Sequence, residues 1–499
     1  MTAKIVIIGA GIGGLVASLL LAQAGLDVTV CEAAPAPGGK LRQVSAGPAM
    51  IDAGPTVFTL RPVFEAIFAM AGARLEEHLT LEPLDCLARH VWEDGAGLDL
   101  FADLEKSAAA IADFAGSGAA AGYRAFAARA AKIFETLDFS FMQTHQPRLA
   151  GLIRNAGPAH LGGLLNLSPF SNMWDELGRY FPNPRLRQLF ARYATYCGSS
   201  PFSAPATLML IAHAERLGVW RISGGMFRLA EILVRLAEAR GGAFRFNAKA
   251  AEITTRNSRV SGVRLAGGET LPADAVIANA DLAAISAGYL GPAARDAVAG
   301  MMKNATRSLS ALTWAISGTA AGFPLVHHNV FFSNDYKAEF GEIAARKLPV
   351  DPTIYICAPN PGAFFCLVNA PPVGDSGNPT QAEEDACLDT VLKKLKRCGL
   401  TLTPEAITKT GPQGFETMFQ ATGGALYGRA LTNWKDSFAR PGTKTKLPGL
   451  YLAGGAIHPG PGLPMAAISG RLAATRLLED FGSTRTSFQV DMPGGTSMR

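Results

Sequence analysis

Cysteine is sparse and unpatterned. Seven occur in 499 residues, at positions 31, 86, 197, 357, 366, 387 and 398, an odd number with no CxxC. That argues against a disulfide framework or a zinc finger and favours a reducing cytosol. The eight His form no HExxH and no paired-ligand spacing, so no metal site is expected. Charge is scarce too: 17% of residues are charged, against about 25% in an average soluble protein. With 48% hydrophobic residues, disorder is excluded for most of the chain, and a greasy substrate or a membrane surface is a natural partner. A net charge of +5 is slight for this length and carries no nucleic-acid signal. The densest basic run, Lys393-Lys394-Leu395-Lys396-Arg397, reads as the solvated face of a helix. No fixed period exists, which excludes solenoid and collagen architectures. Long apolar runs are nearly absent. Ile5 to Leu26 holds twenty-two residues without a charge, but Gly9, Gly11, Gly13 and Gly14 within it argue against a signal peptide or a membrane span.

What that run does contain is a nucleotide signal. Lys4-Ile5-Val6-Ile7-Ile8 is a short β-rich stretch suited to a strand buried on both faces. The glycine turn Gly9 to Gly14 follows, then a helix from Leu15 to Ala24 ended by Gly25. Val28-Thr29-Val30 is the next strand, and Glu32 stands 23 residues after Gly9. Gly9 permits the tight turn, Gly11 lets the backbone approach a pyrophosphate, and Gly14 lets helix pack on strand. Glu32 can accept hydrogen bonds from ribose hydroxyls. GxGxxG alone is weak evidence; strand, glycines, helix, strand and acid in register are strong. A second glycine-rich stretch, Gly116-Ser117-Gly118 with Gly122, follows a helical pattern rather than a strand and reads as an interhelical linker.

The next residues separate FAD from NAD. Pro37-Gly38-Gly39-Lys40-Leu41-Arg42 and Ile51-Asp52-Ala53-Gly54-Pro55-Thr56 resemble the flavoprotein amine oxidase and phytoene desaturase superfamily, where a GGR/GGK turn and an (F/I)D-x-G segment lie near the flavin. A plain turn residue is the competing, lesser reading of Asp52. Gly454-Gly455-Ala456-Ile457-His458-Pro459-Gly460-Pro461-Gly462-Leu463-Pro464 resembles the GAGTHPGAGIP signature of carotenoid desaturases. Met465-Ala466-Ala467-Ile468-Ser469-Gly470-Arg471 is similar to the MAxxSGR ending of the hydroxyneurosporene (methoxyneurosporene) desaturases of purple bacteria. Gly54 to Glu65, Tyr196 to Phe202 and Gly423 to Gly428 fit the same subgroup. The resemblance covers about 90% of the chain. It departs at Ile457, where the family often has Thr, and at Arg221.

The fold so implied is α/β: a Rossmann-like FAD-binding domain built from the discontinuous segments 1–80, 215–290 and 445–480, with an α+β substrate- and membrane-contacting domain from 81–214 and 291–444, and a loose tail at 481–499. Residues 81–214 are helical in composition. FAD contacts are implied for Gly9, Gly11, Gly13, Gly14, Glu32, Gly38, Gly39, Lys40, Asp52, Gly54, Pro55, Thr56, Ala250, Gly454, Gly455, Pro464, Met465 and Ala466. Tyr196, Cys197, Trp220 and Leu463 are expected to line the substrate tunnel. For the lone Cys197, a small core role is the competing reading.

The reaction implied is C-3,4 dehydrogenation of an acyclic C40 carotenoid carrying a 1-hydroxy or 1-methoxy group, by hydride transfer to flavin N5 and loss of a proton. Oxygen or a quinone would take the electrons. No Ser/His/Asp constellation is needed. His458 is the tempting catalytic residue, with hydrogen bonding to its own turn as the competing role. Arg61, Arg221 and Glu215 are weaker candidates. A phytoene desaturase or a flavin-dependent carotenoid isomerase on the same scaffold is the alternative; a flavin amine oxidase or a non-catalytic Rab-escort-type protein is remote. A lipid-resident substrate implies peripheral contact with the inner or intracytoplasmic membrane from the cytoplasmic side. Pro147 to Trp174, basic and apolar without an acid, reads equally as an interfacial patch or a buried helix pair.

Overall fold

The computed structural model describes residues 2–145 and 171–482. Lys4–Ile8 forms the middle of a five-stranded, all-parallel sheet. Its strand order is Leu450–Leu452, Ala275–Ala278, Lys4–Ile8, Asp27–Cys31 and Ala243–Arg245. Every residue of Ala275–Ala278 is buried, as both faces of a parallel sheet require. Helix Ile12–Gln23 is buried nearly all round. It lies between Arg228–Glu238 and the closing helix Leu463–Asp480. Each fully buried Leu, Val or Ile in this layer contributes roughly 1.5–3 kcal/mol, and Leu15, Val16, Leu19 and Leu21 all lie in it. Gly25, at φ +80°, ends the first helix, with the Leu26 amide donating to the Leu21 carbonyl at 3.1 Å.

A second, seven-stranded sheet runs in the order Leu400–Thr410, Ser310–Gly322, Ala363–Ala370, Ile354–Asn360, His328–Phe331, Cys86–Val91 and Gly97–Phe101. All its pairings are antiparallel except His328–Phe331 with Cys86–Val91. A helical layer including Leu104–Ala115, Ser117–Leu137 and Pro184–Ala191 packs beside it.

Three expectations change. Residues 81–214 are not purely helical: Cys86–Val91 and Gly97–Phe101 complete the seven-stranded sheet. The two pair with each other as a local hairpin, but the strand that ties Cys86–Val91 into the sheet, His328–Phe331, lies some 240 residues away. Leu81–Pro83 pairs with Trp220–Ile222, a two-stranded link between the segments 81–214 and 215–290. The glycine-rich linker shrinks to Gly116, at φ +89°, because Ser117, Gly118 and Gly122 belong to a helix. A Cβ on Gly122 would stand 2.2 Å from the Tyr180 carbonyl oxygen, so that glycine serves close packing. Finally, the basic run is not wholly solvated. Helical spacing turns Lys394 inward with Val391 and Leu395, and its ammonium bonds Asp351 and the Pro352 carbonyl. Of the apolar patch Pro147 to Trp174, residues 147–170 lie outside the described residues, as do 483–499 of the expected tail. Trp174 itself packs against Phe202, with the Arg187 guanidinium 4.4 Å from its ring.

Candidate functional site

A single cavity of about 1300 Å³ joins the glycine turn of the parallel sheet to the face of the seven-stranded sheet. That exceeds the ~300–1000 Å³ of a pocket for one small ligand. Gly9, Gly11, Ile12 and Gly13 line one end; Thr313, Val330, Tyr355, Phe365 and Leu367 belong to the other wall.

The glycines at the first end are needed for contact as much as for turning. Gly9 has φ +95°. Gly11 pairs with Gly38 as a lone parallel bridge, and the Gly38 amide donates to the Ala10 carbonyl at 2.8 Å. A Cβ on Gly13 would fall 2.9 Å from the Gly454 amide nitrogen and 2.7 Å from Asn279 Oδ1. Asn279, just past the end of Ala275–Ala278, is thus a wedge between the opening and closing glycine turns, and its Nδ2 donates to the Gly9 carbonyl at 3.2 Å. Gly14 does not line the cavity; its Cβ would lie 2.1 Å from the Gly9 carbonyl oxygen, so it serves helix-on-strand packing.

Glu32 lines the cavity with its carboxylate fixed by backbone: Oε2 accepts from Ala10 N at 2.7 Å and Oε1 from Ala34 N at 2.8 Å. Each oxygen keeps a further lone pair for a ligand hydroxyl. Lys40 Nζ donates to the Leu426 carbonyl at 2.6 Å and stands 4.0 Å from Asp281. Burial lowers the Lys40 pKa, and Asp281 acts against that shift. Gly54 lies against Lys40, whose carbonyl oxygen would be 1.9 Å from an added Cβ. Pro55 and Thr56 line the cavity, and Thr56 Oγ1 is 2.6 Å from the Tyr355 hydroxyl. The closing helix starts on the cavity with Gly462, Leu463, Pro464, Met465 and Ala466, its unpaired N–H groups at that end. Ala250, Gly38, Gly39, Gly454, Gly455, Tyr196 and Cys197 also line it.

Several expected residues lie elsewhere. Asp52 is not in the lining; its carboxylate accepts from the Met226 and Phe227 amides at 2.7 and 3.3 Å and holds the turn into Arg228–Glu238. Trp220 turns its ring over Gly218 and is absent from the wall. Arg61 pairs with Glu65 at 2.6 Å, and Arg221 with Glu82, both outside the cavity. Glu215 sits behind the wall, accepting from the Tyr193 and Tyr196 hydroxyls. His458 is fully buried and does not reach the cavity; its Nε2 donates to the Phe141 carbonyl at 2.9 Å, not to its own turn.

Burial pushes the His458 imidazole down to about 4. A depressed histidine leaves stability intact above the unfolded value near 6.5 and removes it as pH falls toward the folded one. Urea unfolding of His458→Gln at pH 7 and pH 5 should therefore show a smaller acid loss than the parent, by about 2 kcal/mol. An unchanged difference would mean that the imidazole is protonated in the native protein.

Sequence reasoning missed Asn279, Asp281, Arg440, Tyr355 and Arg192 in the lining. Asn279 had a signal, since ligands of parallel sheets collect beyond carboxyl strand ends. Arg440 had none. Its buried guanidinium donates to the carbonyls of Tyr427, Arg429 and Gly455 at 3.3, 2.6 and 3.3 Å. Cross-strand pairing also gathers His327, His328 and Cys357, whose ligand atoms lie within 4.8 Å. His328 Nδ1 meets the Tyr355 hydroxyl at 2.7 Å and Cys357 Sγ is 3.7 Å from His327 Nε2, while the buried His328 Nε2 has no partner.

A parallel sheet with a glycine-lined helix start, an acid at the next strand end and a second helix aimed at the same cavity defines a dinucleotide-binding oxidoreductase. Residues 12–478 match the family described as flavin containing amine oxidoreductase. Hydroxyneurosporene desaturase of Rubrivivax gelatinosus is 48% identical over 100% of this chain and 97% of its own. The 1-hydroxycarotenoid 3,4-desaturase of a Flavobacterium species is 32% identical over 94% of this chain and 98% of its own. Putrescine oxidase bound to putrescine shares the fold, with TM-score 0.61 and 16% identity over 97% of this chain and 99% of that one. The chain belongs to the carotenoid desaturases of the flavin containing amine oxidoreductase family, and its cofactor is FAD.

Proposed function

We propose that this protein desaturates the C3–C4 bond of an acyclic C40 carotenoid bearing an oxygen at C1. The observation that carries the reading is the unbroken cavity from glycine cradle to apolar sheet wall, in a chain similar from end to end to hydroxyneurosporene desaturase. The cradle suits FAD: the close approach of Gly11, Gly13, Gly39 and Gly454 leaves backbone, not side chains, at the surface. Residues 1–80, 215–290 and 445–480 would form the FAD domain, and 81–214 with 291–444 the substrate domain. Glu32 would take the ribose, the Gly11–Gly13 amides the pyrophosphate, and the start of Leu463–Asp480 the electron-rich ring. FAD, when bound, supplies the two-electron acceptor for a C–H bond that no side chain here could oxidise.

The chain's own contribution is alignment. Tyr196, Cys197, Leu463 and the sheet residues Val330, Phe365 and Leu367 would hold the polyene and exclude water. No helix among the described residues is long and apolar enough to cross a membrane. A substrate dissolved in lipid supports peripheral membrane contact, with oxygen or a quinone as the terminal acceptor.

Holoprotein incubated with 1-hydroxyneurosporene in liposomes should lengthen the chromophore by one double bond and shift its absorption to longer wavelength. An unchanged spectrum despite bound FAD would overturn the reading. Unchanged redox state with altered cis–trans geometry would establish an isomerase instead.

A further inference from the structure

Desaturation takes two hydrogens in different forms. The carbon next to the polyene, C4, gives up a hydride, because the cation left there is delocalised along the conjugated chain. Its outer neighbour C3 then gives up a proton. The hydride has an acceptor in FAD; the proton still needs one. A hydrocarbon-lined tunnel keeps water out, so the wall itself must offer a base where the cradle meets the tunnel.

Tyr355 stands at that junction. On the cradle side, Gly39 packs on Gly11, where an added carbon would lie 3.2 Å from the Gly11 Cα. Lys40 follows, and Gly54 is pressed against its carbonyl. Thr56 comes two residues later, within about 7 Å of Gly54 along the chain, and its Oγ1 is 2.6 Å from the Tyr355 hydroxyl. On the tunnel side, Tyr355 pairs with Val330 and with Leu367 on the neighbouring strands, and all three line the cavity. The pair His328 and Cys357 lies two residues along and therefore on the same face. There His328, 2% exposed, brings Nδ1 to 2.7 Å from the same hydroxyl.

The direction of these bonds follows from basicity. An imidazole nitrogen is a far better acceptor for a phenol proton than an alcohol oxygen, so Tyr355 donates to His328 Nδ1 and accepts from Thr56. The Cys357 thiol beside it is a weak donor. Tyr355 Oη thus keeps a lone pair that a stronger donor can take. Burial, with His327 and Arg192 nearby, holds the His328 imidazole well below its usual range, so the ring is neutral and open to a proton. Tyr196, the other cavity hydroxyl with a buried base behind it, is committed elsewhere. It accepts from Arg192 Nη1 at 2.9 Å and donates to Glu215 Oε1 at 2.7 Å, and that cation opposes the arrival of a further positive charge.

We infer that Tyr355 is the catalytic acceptor of the C3 proton and that His328 is a positioning residue acting through it. The inference rests on the desaturase reading above and adds to it a base. The C4–H bond breaks with its electron pair passing to the flavin. The C3–H bond then breaks, and its pair becomes the second bond between C3 and C4. Its proton goes to Tyr355 Oη while the phenol's own proton moves to His328 Nδ1. The negative charge gained by the cofactor is matched by a positive charge on His328.

Tyr355→Phe keeps the ring and removes the hydroxyl; His328→Asn removes the imidazole behind it. Each holoprotein is compared with the parent on 1-hydroxyneurosporene deuterated at C3 or at C4, alongside flavin content and absorption titration of carotenoid binding. In Tyr355→Phe, kcat should fall by about 10²–10⁴-fold with flavin and carotenoid still bound. The C3 deuterium effect should grow in both variants and the C4 effect should not, because proton loss alone has become slow. A fall in rate without that growth is a packing loss and overturns the assignment. So does a C3 effect that grows in Tyr196→Phe but not in Tyr355→Phe. Histidine ¹⁵N NMR of the parent is independent of turnover: the signal lost in His328→Asn should show Nδ1 without a proton at pH 7, and a protonated Nδ1 overturns the assignment. A parent that binds FAD and leaves the carotenoid unchanged defeats the desaturase reading and this base with it. A parent that desaturates while both variants keep its C3 effect defeats the base alone.

Discussion

Gly13→Val should yield a colourless protein. Its new side chain would begin 2.9 Å from the Gly454 amide and 2.7 Å from Asn279 Oδ1. The first contact is backbone and cannot swing away, so the opening and closing turns must separate. Overpacking of this kind costs several kcal/mol, and flavin binding should weaken at least about 100-fold. The readout is the flavin-to-protein ratio after gel filtration, with desaturation falling in parallel. Gly341→Ala is the matched control: it lies within helix Tyr336–Ala344 with nothing within 4 Å of the added carbon. It should keep its flavin and gain about 0.5–1 kcal/mol in urea unfolding. A yellow Gly13→Val protein would show that the two turns are not in tight register.

Arg440→Met should come next in severity. Arg440 is 3% exposed and ties three loop carbonyls together. Burial lowers its pKa to about 10, which still leaves it charged at neutral pH. Truncation leaves the Tyr427, Arg429 and Gly455 oxygens with weaker or no donors at roughly 1–3 kcal/mol each. The Gly454–Gly462 turn, whose Gly460 lies 3.4 Å from Arg440 Nε when extended by a Cβ, then loses its support. The expected result is a loss of about 3–5 kcal/mol in stability and at least tenfold weaker flavin retention. Arg440→Lys, with three donors on one nitrogen, should recover part of both. Full stability and full flavin in Arg440→Met would mean that water replaces the guanidinium.

The first nucleotide-binding unit was legible because its determinants are local. Strand, turn, helix and acid fall within residues 4–32, and hydrophobic period and glycine spacing report them directly. The Gly454–Pro464 motif was legible for the same reason, and the helix Leu463–Asp480 begins at its end. Asp52 was visible as a conspicuous acid but not as a hydrogen-bond partner for Met226, because 174 residues separate them. Cys86–Val91 was hidden in part for the same reason: it pairs locally with Gly97–Phe101 but joins the large sheet only through His328–Phe331. His458 drew attention through its motif, and only packing against Phe141, with rings 4.7 Å apart, revealed why it faces inward. Arg440 looks like an ordinary arginine in the chain. Its role comes from the loop carbonyls that surround it after folding.

The parallel sheet places Leu450–Leu452 at one edge, and the helix after it completes the cradle begun at Gly9. At about 5–20 residues per second of synthesis, the opening turn waits roughly 20–90 s for its counterpart to leave the ribosome. During that interval the side of helix Ile12–Gln23 that packs on Leu463–Asp480 in the finished protein has no permanent cover. A finished cradle therefore waits on the final strand and helix of the fold, and so does everything that the cradle must hold.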